Sequence, residues 1–416
     1  MKKLLSLFIA LITGITFSAK LYAQEEEPSY GIKFSGFVKS DFFFDSRQTV
    51  TAREGHLLLY PANEKLDAAG EDINAQPSFN FLSIQTRLSG NITGPDAFGA
   101  RTSGKIEGAF FGHTNSDING FRLRHAFLKL NWEKTELLMG QTWHLMFNAE
   151  CFPGTVSFNT GVPFHFFSRN PQIRLSHNIG SLKLTGAFAA QRDFSSPGGS
   201  QTLRNSAIPE VMGRLLYTSS NEKFMMGLGM SYKNVVPRLQ TDSLFKTNQK
   251  VDGIIAQGFI KMVTSPLTFK FQGTYAENGY DGLMIGGFAV KQSSDPDPVR
   301  DYQEYTTLNN MSVWTDIHTN GKKLQFGLFA GYSQNIGADD EIENLGQISR
   351  YSRGSTIASL YRISPRIVLN SNKTRFALEF ERTGAAYGKS FDNKGVPQDT
   401  KMVANNRILL GAFYFF

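Results

Sequence analysis

Arg87, Lys105 and Arg174 each lie on the polar side of a run in which apolar and polar residues alternate, and Glu107 shares that side. A guanidinium offers planar, two-pronged recognition of carboxylate or phosphate, and an ammonium supplies a point charge. The same parity turns Lys33, Lys39, Lys183, Arg214, Arg362 and Arg407 the same way, together with Glu210, Glu379 and Glu381. If that side faces water between low-dielectric walls, the walls focus the field and anions are favoured. Taken singly, a wall arginine is as readily a solvated group paired with a carboxylate.

Covalent chemistry finds less support. The chain contains no GxSxG, no HExxH, no P-loop and no complete GxGxxG. None of the seven histidines forms a tight ligand pair with a carboxylate at helical spacing. His125, His144 and His165 could approach one another inside a barrel, where such residues more often simply line water. The single cysteine, Cys151, excludes a disulfide framework and any CxxC site. Beside Phe152 and Pro153 it reads as a small packed residue. Asp295, Asp297 and Asp301, and Asp339, Asp340 and Glu341, read as solvated acidic loops rather than calcium sites. No cofactor and no metal is expected. An enzyme would need a Ser/His/Asp or paired-carboxylate cluster at a rim, where Glu107 and Glu150 are the carboxylates worth testing.

The elements that carry these residues have a period of two. Alternation recurs at Ile32 to Val38, Leu82 to Leu88, Leu182 to Phe188, Val211 to Tyr217, Ile254 to Met262, Leu324 to Tyr332 and Phe376 to Phe380. Successive side chains of a strand face opposite sides, so each run has one apolar and one polar face. The runs span ~9–13 residues, against ~5–6 for an average soluble strand, and carry charge in mid-strand. A closed sheet, apolar outside and wet inside, explains both features. Short turns alternate with longer polar loops, among them 46–78, 194–207 and 278–304. The expected fold is therefore all-β: a transmembrane antiparallel β-barrel of sixteen strands, with fourteen or eighteen as alternatives. A secreted β-sandwich binding protein is the competing architecture.

Composition agrees. Among 416 residues there are 39 Gly, 36 Phe and 14 Tyr, which suits many strands and turns. Lys2 and Lys3 precede an apolar run to Phe17, and Ala23 ends a small-residue cleavage position, so residues 1–23 read as a secretory signal peptide. Its removal leaves 40 basic and 36 acidic residues, a net charge of +4, too small and dispersed to argue for nucleic acid. Residues 24–416 then form one barrel domain. Residues 144–170 break the rhythm with Phe147, Cys151-Phe-Pro-Gly154, Phe158 and Pro163-Phe-His-Phe-Phe167. A segment so apolar should be buried. The one interior on offer is the lumen, so an inward-folded loop that narrows the pore is expected, with a subunit interface as the alternative.

The order of short motifs resembles a family. Gly36-Phe-Val-Lys-Ser-Asp-Phe-Phe-Phe-Asp45, Gln85-Thr-Arg-Leu88, Ile106-Glu107, Phe121-Arg-Leu-Arg-His-Ala126, Gly140-Gln-Thr-Trp143 and Arg169-Asn-Pro-Gln-Ile-Arg174 follow one another. Together they resemble the DcaP-like porins of Gram-negative outer membranes, over residues 34–45 and 82–178. The resemblance implies a homotrimer of sixteen-stranded channels in outer-membrane lipid, passing small anionic solutes such as dicarboxylates by passive diffusion. It also implies Arg87, Arg122, Arg124, Arg169 and Arg174 as the basic pore positions. Parity contradicts Arg122 and Arg124, which share the side of Ala126, Leu128 and Leu130, unless a bulge intervenes or the two stand above the hydrocarbon. The N-terminal coiled coil of some family members has no room in Gln24 to Tyr30.

Ile408, Leu410, Ala412, Tyr414 and Phe416 share one face of the last run. That terminal aromatic pattern resembles the signal read by the barrel-assembly machinery. Changing Phe416 to Ser should therefore lower the amount of heat-modifiable barrel in the outer membrane while export continues. Normal amounts of assembled protein on a semi-native gel would refute the assembly role.

Overall fold

The computed structural model describes residues 30–416 apart from Asp295. The expected signal peptide, residues 1–23, lies outside the described residues. Sixteen strands close into one barrel. They are β1 (Gly31–Asp45), β2 (Ser78–Leu82 and Arg87–Thr93), β3 (Arg101–Ala109), β4 (Arg122–Asn131), β5 (Thr135–Trp143), β6 (Arg169–Ile179), β7 (Leu182–Ala189) and β8 (Glu210–Thr218). The second half comprises β9 (Phe224–Val235), β10 (Val251–Val263), β11 (Leu267–Glu277), β12 (Tyr305–Thr319), β13 (Leu324–Ala338), β14 (Ile357–Ser371), β15 (Thr374–Tyr387) and β16 (Lys401–Phe415). Each pairs antiparallel with the next, and β16 pairs with β1 from Phe37↔Phe415 to Asp45↔Arg407.

Closure follows from the side-chain pattern. On β16, Ile408, Leu410 and Tyr414 are exposed on one face while Asn405, Arg407 and Leu409 are buried on the other. On β15, Phe376, Leu378 and Phe380 are exposed, and Glu379 and Glu381 are buried. An apolar outer face and a polar inner one suit hydrocarbon outside and polar contents within. Among the described residues no helix is long and apolar enough to cross a membrane.

Seven short connections gather at one end of the barrel, for instance 180–181 between β6 and β7 and 372–373 between β14 and β15. Eight longer connections gather at the other: 46–77, 110–121, 144–168, 190–209, 236–250, 278–304, 339–356 and 388–400. Both ends of the described chain lie on the short-turn side, where β1 begins opposite Thr93.

Two sequence expectations change. The run from Leu82 to Leu88 is not one strand. β1 faces Leu82 with Asp41 and Arg87 with Phe37, so β2 spends one residue more than β1 over the same span. The extra residue makes a bulge that flips parity. Ile84 is consequently buried inside, whereas Phe79, Phe81 and Leu88 are exposed outside. The loop at 46–78 is also not simply polar. Thr49–Ala52 and Leu57–Pro61 form a hairpin within it, and Leu57, Leu58, Leu59 and Tyr60 are buried. Four consecutive apolar residues were the signal, outweighed by the polar residues on both sides.

The outward assignment predicts the cost of misplaced charge. Changing Leu378, exposed in the middle of β15, to Arg should cost about 2–4 kcal/mol of unfolding free energy near the bilayer midplane. Denaturant titration in lipid vesicles measures it. A change below ~0.5 kcal/mol would place this face outside the hydrocarbon.

Candidate functional site

Residues 144–168, between β5 and β6, are bonded to inward-facing groups of distant strands. The Gly154 amide donates to Asp316 Oδ2 of β12 at 3.2 Å. The Val156 and Ser157 amides donate to the two oxygens of Glu379 on β15 at 2.7 and 3.0 Å. Asn159 Nδ2 donates to Glu381 Oε2 at 2.7 Å, and Arg362 Nη1 of β14 donates to the Val162 carbonyl at 2.5 Å. Lys39 Nζ of β1 reaches the Val156 carbonyl at 2.8 Å. Wall carboxylates thus accept from the segment's backbone while wall cations donate to its carbonyls, which is how irregular backbone is tolerated at this depth.

Apolar packing fixes the same segment. Phe147, Phe158, Val162, Phe164 and Phe167 form a buried cluster with Trp314 and Phe329 of the wall and with Leu57 and Tyr60 of the hairpin. Gly331 on β13 is required there, because a Cβ at that position would stand 2.7 Å from the Phe164 ring. Arg362 joins both insertions, since its Nη2 also donates to the Leu59 carbonyl at 2.9 Å.

The histidines and the cysteine are held by separate partners. His125 Nδ1 lies 3.1 Å from Thr142 Oγ1, His144 Nε2 lies 3.2 Å from Glu210 Oε1, and His165 Nε2 lies 2.7 Å from the Thr160 carbonyl oxygen. Burial pushes the His165 imidazole down to about 4 and the Cys151 thiol up to about 12, so both are uncharged near neutrality. Among the described residues no three His, Cys, Asp or Glu side chains are gathered to hold a metal. Of the two carboxylates that an enzyme reading singles out, Glu150 pairs with Arg214 at 2.8 Å and Glu107 is surrounded by cations.

The seven expected pore residues fall on one sector, β2 to β6, and divide into groups. Glu107 on β3 is the hub of the first, with Lys105 at 2.9 Å, Arg124 at 2.9 Å and Arg87 at 3.4 Å. Ser89 Oγ also donates to it. Asp193, in the 190–209 connection, is the hub of the second. It pairs with Arg122 and, at 2.7 Å, with Arg169. Arg169 also lies over the Trp143 ring. Arg174 donates to neutral oxygens, the Trp143 carbonyl at 2.6 Å and Gln172 Oε1 at 2.7 Å.

The parity conflict at β4 is resolved by a bulge. Glu107 faces His125 and Gly108 faces Leu123, which leaves Arg124 as the extra residue. Arg122, Arg124 and His125 are consequently buried inside and Leu123 is exposed outside. Exposure separates the cations further. The Arg87 and Lys105 side chains are 23% and 30% exposed, whereas those of Arg122, Arg124 and Arg169 are 7% or less. Sequence reasoning missed Asp193, whose setting Gln191-Arg-Asp193 carries no alternation. It also missed Arg53 and Arg192, which with His113, Arg122 and Asp193 line a cavity of about 450 Å3 at the long-loop end.

Solved structures match this architecture throughout. The chain covers 95% of its length against 100% of the outer membrane channel DcaP of Acinetobacter baumannii, with a TM-score of 0.69 and 15% identity. The fold is that of an outer-membrane porin. The anion-selective porin from Comamonas acidovorans matches over 93% of this chain and 100% of its own, with a TM-score of 0.55 and 12% identity. OmpT, an outer membrane protein of Vibrio cholerae in its trimer form, matches over 94% and 100%, with a TM-score of 0.54 and 10% identity. No family model matches the chain, and no curated protein matches its sequence. The likeness to DcaP-like porins, first visible in residues 34–45 and 82–178, extends over the whole fold, and the β-sandwich alternative is set aside. The chain folds as a porin-type β-barrel.

Asp193 neutralises two guanidiniums that have little access to water. Changing it to Asn should destabilise the barrel by about 3–5 kcal/mol, as expected when a buried pair loses one partner. The denaturant midpoint in detergent or vesicles measures this. An unchanged midpoint would mean that water already reaches Arg122 and Arg169.

Proposed function

We propose that this barrel is a porin for small hydrophilic anions, dicarboxylates among them, that cross the outer membrane by passive diffusion. The observation that carries the reading is a charge excess. On β2 to β6 and the adjoining connection, Arg87, Lys105, Arg122, Arg124, Arg169 and Arg174 face two hub carboxylates, Glu107 and Asp193. Six basic groups against two acidic ones leave an excess of four. Segment 144–168 stands inside the same wall and is read as the constriction, so solutes pass beside these cations. The Comamonas porin of the same fold is described as anion-selective, which supports this choice of charge.

The cations divide the work by exposure. Arg124 and Arg169 are held by carboxylates and set the shape of the wall. Arg87, Lys105 and Arg174 keep contact with water and meet the solute. A unit charge ~4 Å away contributes ~1 kcal/mol in bulk water and ~4 kcal/mol at an effective dielectric near 20. That suffices to bias permeation without tight binding. Nothing in the chain resembles an energy-coupling element, so the flux is downhill. The working assembly is taken to be a homotrimer, as in the trimer form of Vibrio OmpT, and insertion is taken to use the barrel-assembly machinery.

Planar-bilayer reversal potentials in a salt gradient test the proposal. The wild-type channel should prefer anions. Replacing Arg87, Lys105 and Arg174 together by Gln should lower that preference several-fold at low salt with the barrel intact. The difference should shrink at 1 M salt, where the Debye length is ~3 Å. Cation preference in the wild type, or identical reversal potentials in the two proteins, would overturn the anion assignment.

A further inference from the structure

The outer wall carries an unexplained charge. Among the described residues, Arg382 is the one arginine or lysine that stands between strand ends on the lipid-facing side. On β15 it shares the outward side with the exposed Phe380 and alternates with the buried Glu381 and Thr383. Its cross-strand neighbours are Ile363 on β14 and Asn406 on β16. Ile363 and Ile408 beside it are 47% and 51% exposed. Its bonds go to neutral groups. Nε donates to Tyr361 Oη at 3.2 Å, and Nη1 donates to Asn406 Oδ1 at 2.9 Å. No ion pair to a carboxylate is formed by this side chain among the described residues, whereas the lumenal Arg362, Arg366 and Arg407 each have one.

A permanent cation on a hydrocarbon-facing surface is costly unless its head reaches the interface and finds an anion. Arg382 lies five residues below the long-loop end of β15 at Tyr387. Tyr361 lies four residues below the same end of β14 at Ile357. A tyrosine with its ring in apolar surroundings and its hydroxyl on a polar partner is typical of the membrane–water boundary. Beside this pair the outer wall has a groove of about 610 Å3, lined by Phe271, Val313, Ala330, Tyr332, Tyr361 and Ile363. Tyr361 belongs to both features, so the apolar groove opens directly onto the cation.

We propose that this face is a lipid-binding site. A membrane lipid with an anionic phosphate headgroup places its phosphate on Arg382, between Tyr361 and Asn406, and lays one acyl chain in the groove. The two bonds from Nε and Nη1 orient the guanidinium and leave Nη2 and the second Nη1 hydrogen for phosphate oxygens. Charge complementarity selects the headgroup, and the adjoining apolar groove selects a molecule with a chain rather than free phosphate. The site lies outside the lumen and is independent of the pore's ion preference.

Native mass spectrometry of the full-length protein in detergent, titrated with phosphatidylglycerol or phosphatidylcholine, tests the site. The wild type should bind phosphatidylglycerol in preference to phosphatidylcholine. Arg382→Gln should weaken phosphatidylglycerol binding roughly tenfold, as for loss of a charged hydrogen bond. Arg382→Lys should retain part of the preference. Ala330→Trp, which fills the groove, should weaken both lipids together. Heat modifiability on gels confirms that each variant is assembled, and Arg382→Lys with Ala330→Trp decides the question if Arg382→Gln does not assemble. Equal phosphatidylglycerol binding by the wild type and the variants overturns the site. Loss of the oligomer in Arg382→Gln with unchanged lipid uptake also overturns it, and makes this face a subunit contact. Inorganic phosphate displacing the lipid completely at equal concentration would show that the groove contributes nothing.

Discussion

Pairing of β1 with β16 is the constraint on which the rest of the structure depends. In hydrocarbon an unpaired strand edge leaves a row of N–H and C=O groups with no partner, at several kcal/mol each. Nine residue pairs, from Phe37↔Phe415 to Asp45↔Arg407, remove that edge. The seam is also locked from inside, where Arg407 Nε and Nη2 donate to the two oxygens of Asp45 at 2.9 and 2.6 Å. Once the sheet is closed, every strand has an inside and an outside. Polar groups can occupy the middle of a membrane protein only on the inside.

Closure then creates the problem that the inserted segments solve. The inner wall brings Lys39, Glu379, Glu381, Asp316 and Arg362 into a confined space, and buried charges are tolerated only when partnered. Some pair across the wall, as Arg366 does with Asp316 at 2.7 Å. Others are satisfied by backbone groups of 144–168 and the carbonyls of the 57–61 hairpin. The insertions in turn could not sit there as polar loops, and their Phe, Val and Leu side chains pack together in the barrel. Wall charge and loop hydrophobicity are therefore parts of one arrangement.

The charge pattern follows the same geometry. Cations cluster on the inner side of β2 to β6, where two carboxylates hold most of them and leave Arg87 and Lys105 partly open. On the outer side charge is sparse, and Arg382 is bound by a tyrosine and an asparagine near the long-loop end. One face is polar and turned to the barrel interior, and the other is apolar and turned outward. A single residue's parity on its strand decides which environment its charge meets.

The sequence by itself determined the barrel, a count of sixteen strands with fourteen or eighteen left open, the side most strands turn inward and the unusual character of 144–170. These are local properties: a period of two, long runs and an aromatic-rich break. Parity alone was enough for Arg87, Lys105, Glu107 and Arg174. It failed wherever one strand spends an extra residue against its neighbour. At Ser83–Thr86 the bulge is set by pairing with β1 across the long 46–77 connection, and no local pattern announces it, whereas at Arg124 it lies in the pairing with the neighbouring β3 and shows in the sequence only as a parity conflict. The tertiary structure also decided which cations are neutralised. Asp193 meets Arg122 and Arg169 from 71 and 24 residues away, because the pairing of β4 to β7 in turn brings the 190–209 connection beside β4 and β6. Likewise the four apolar residues at Leu57–Tyr60 found a buried home only because β14 to β16 close beside β1. Periodicity fixes which way a side chain points, but its partners depend on chain segments that only the closed fold brings together.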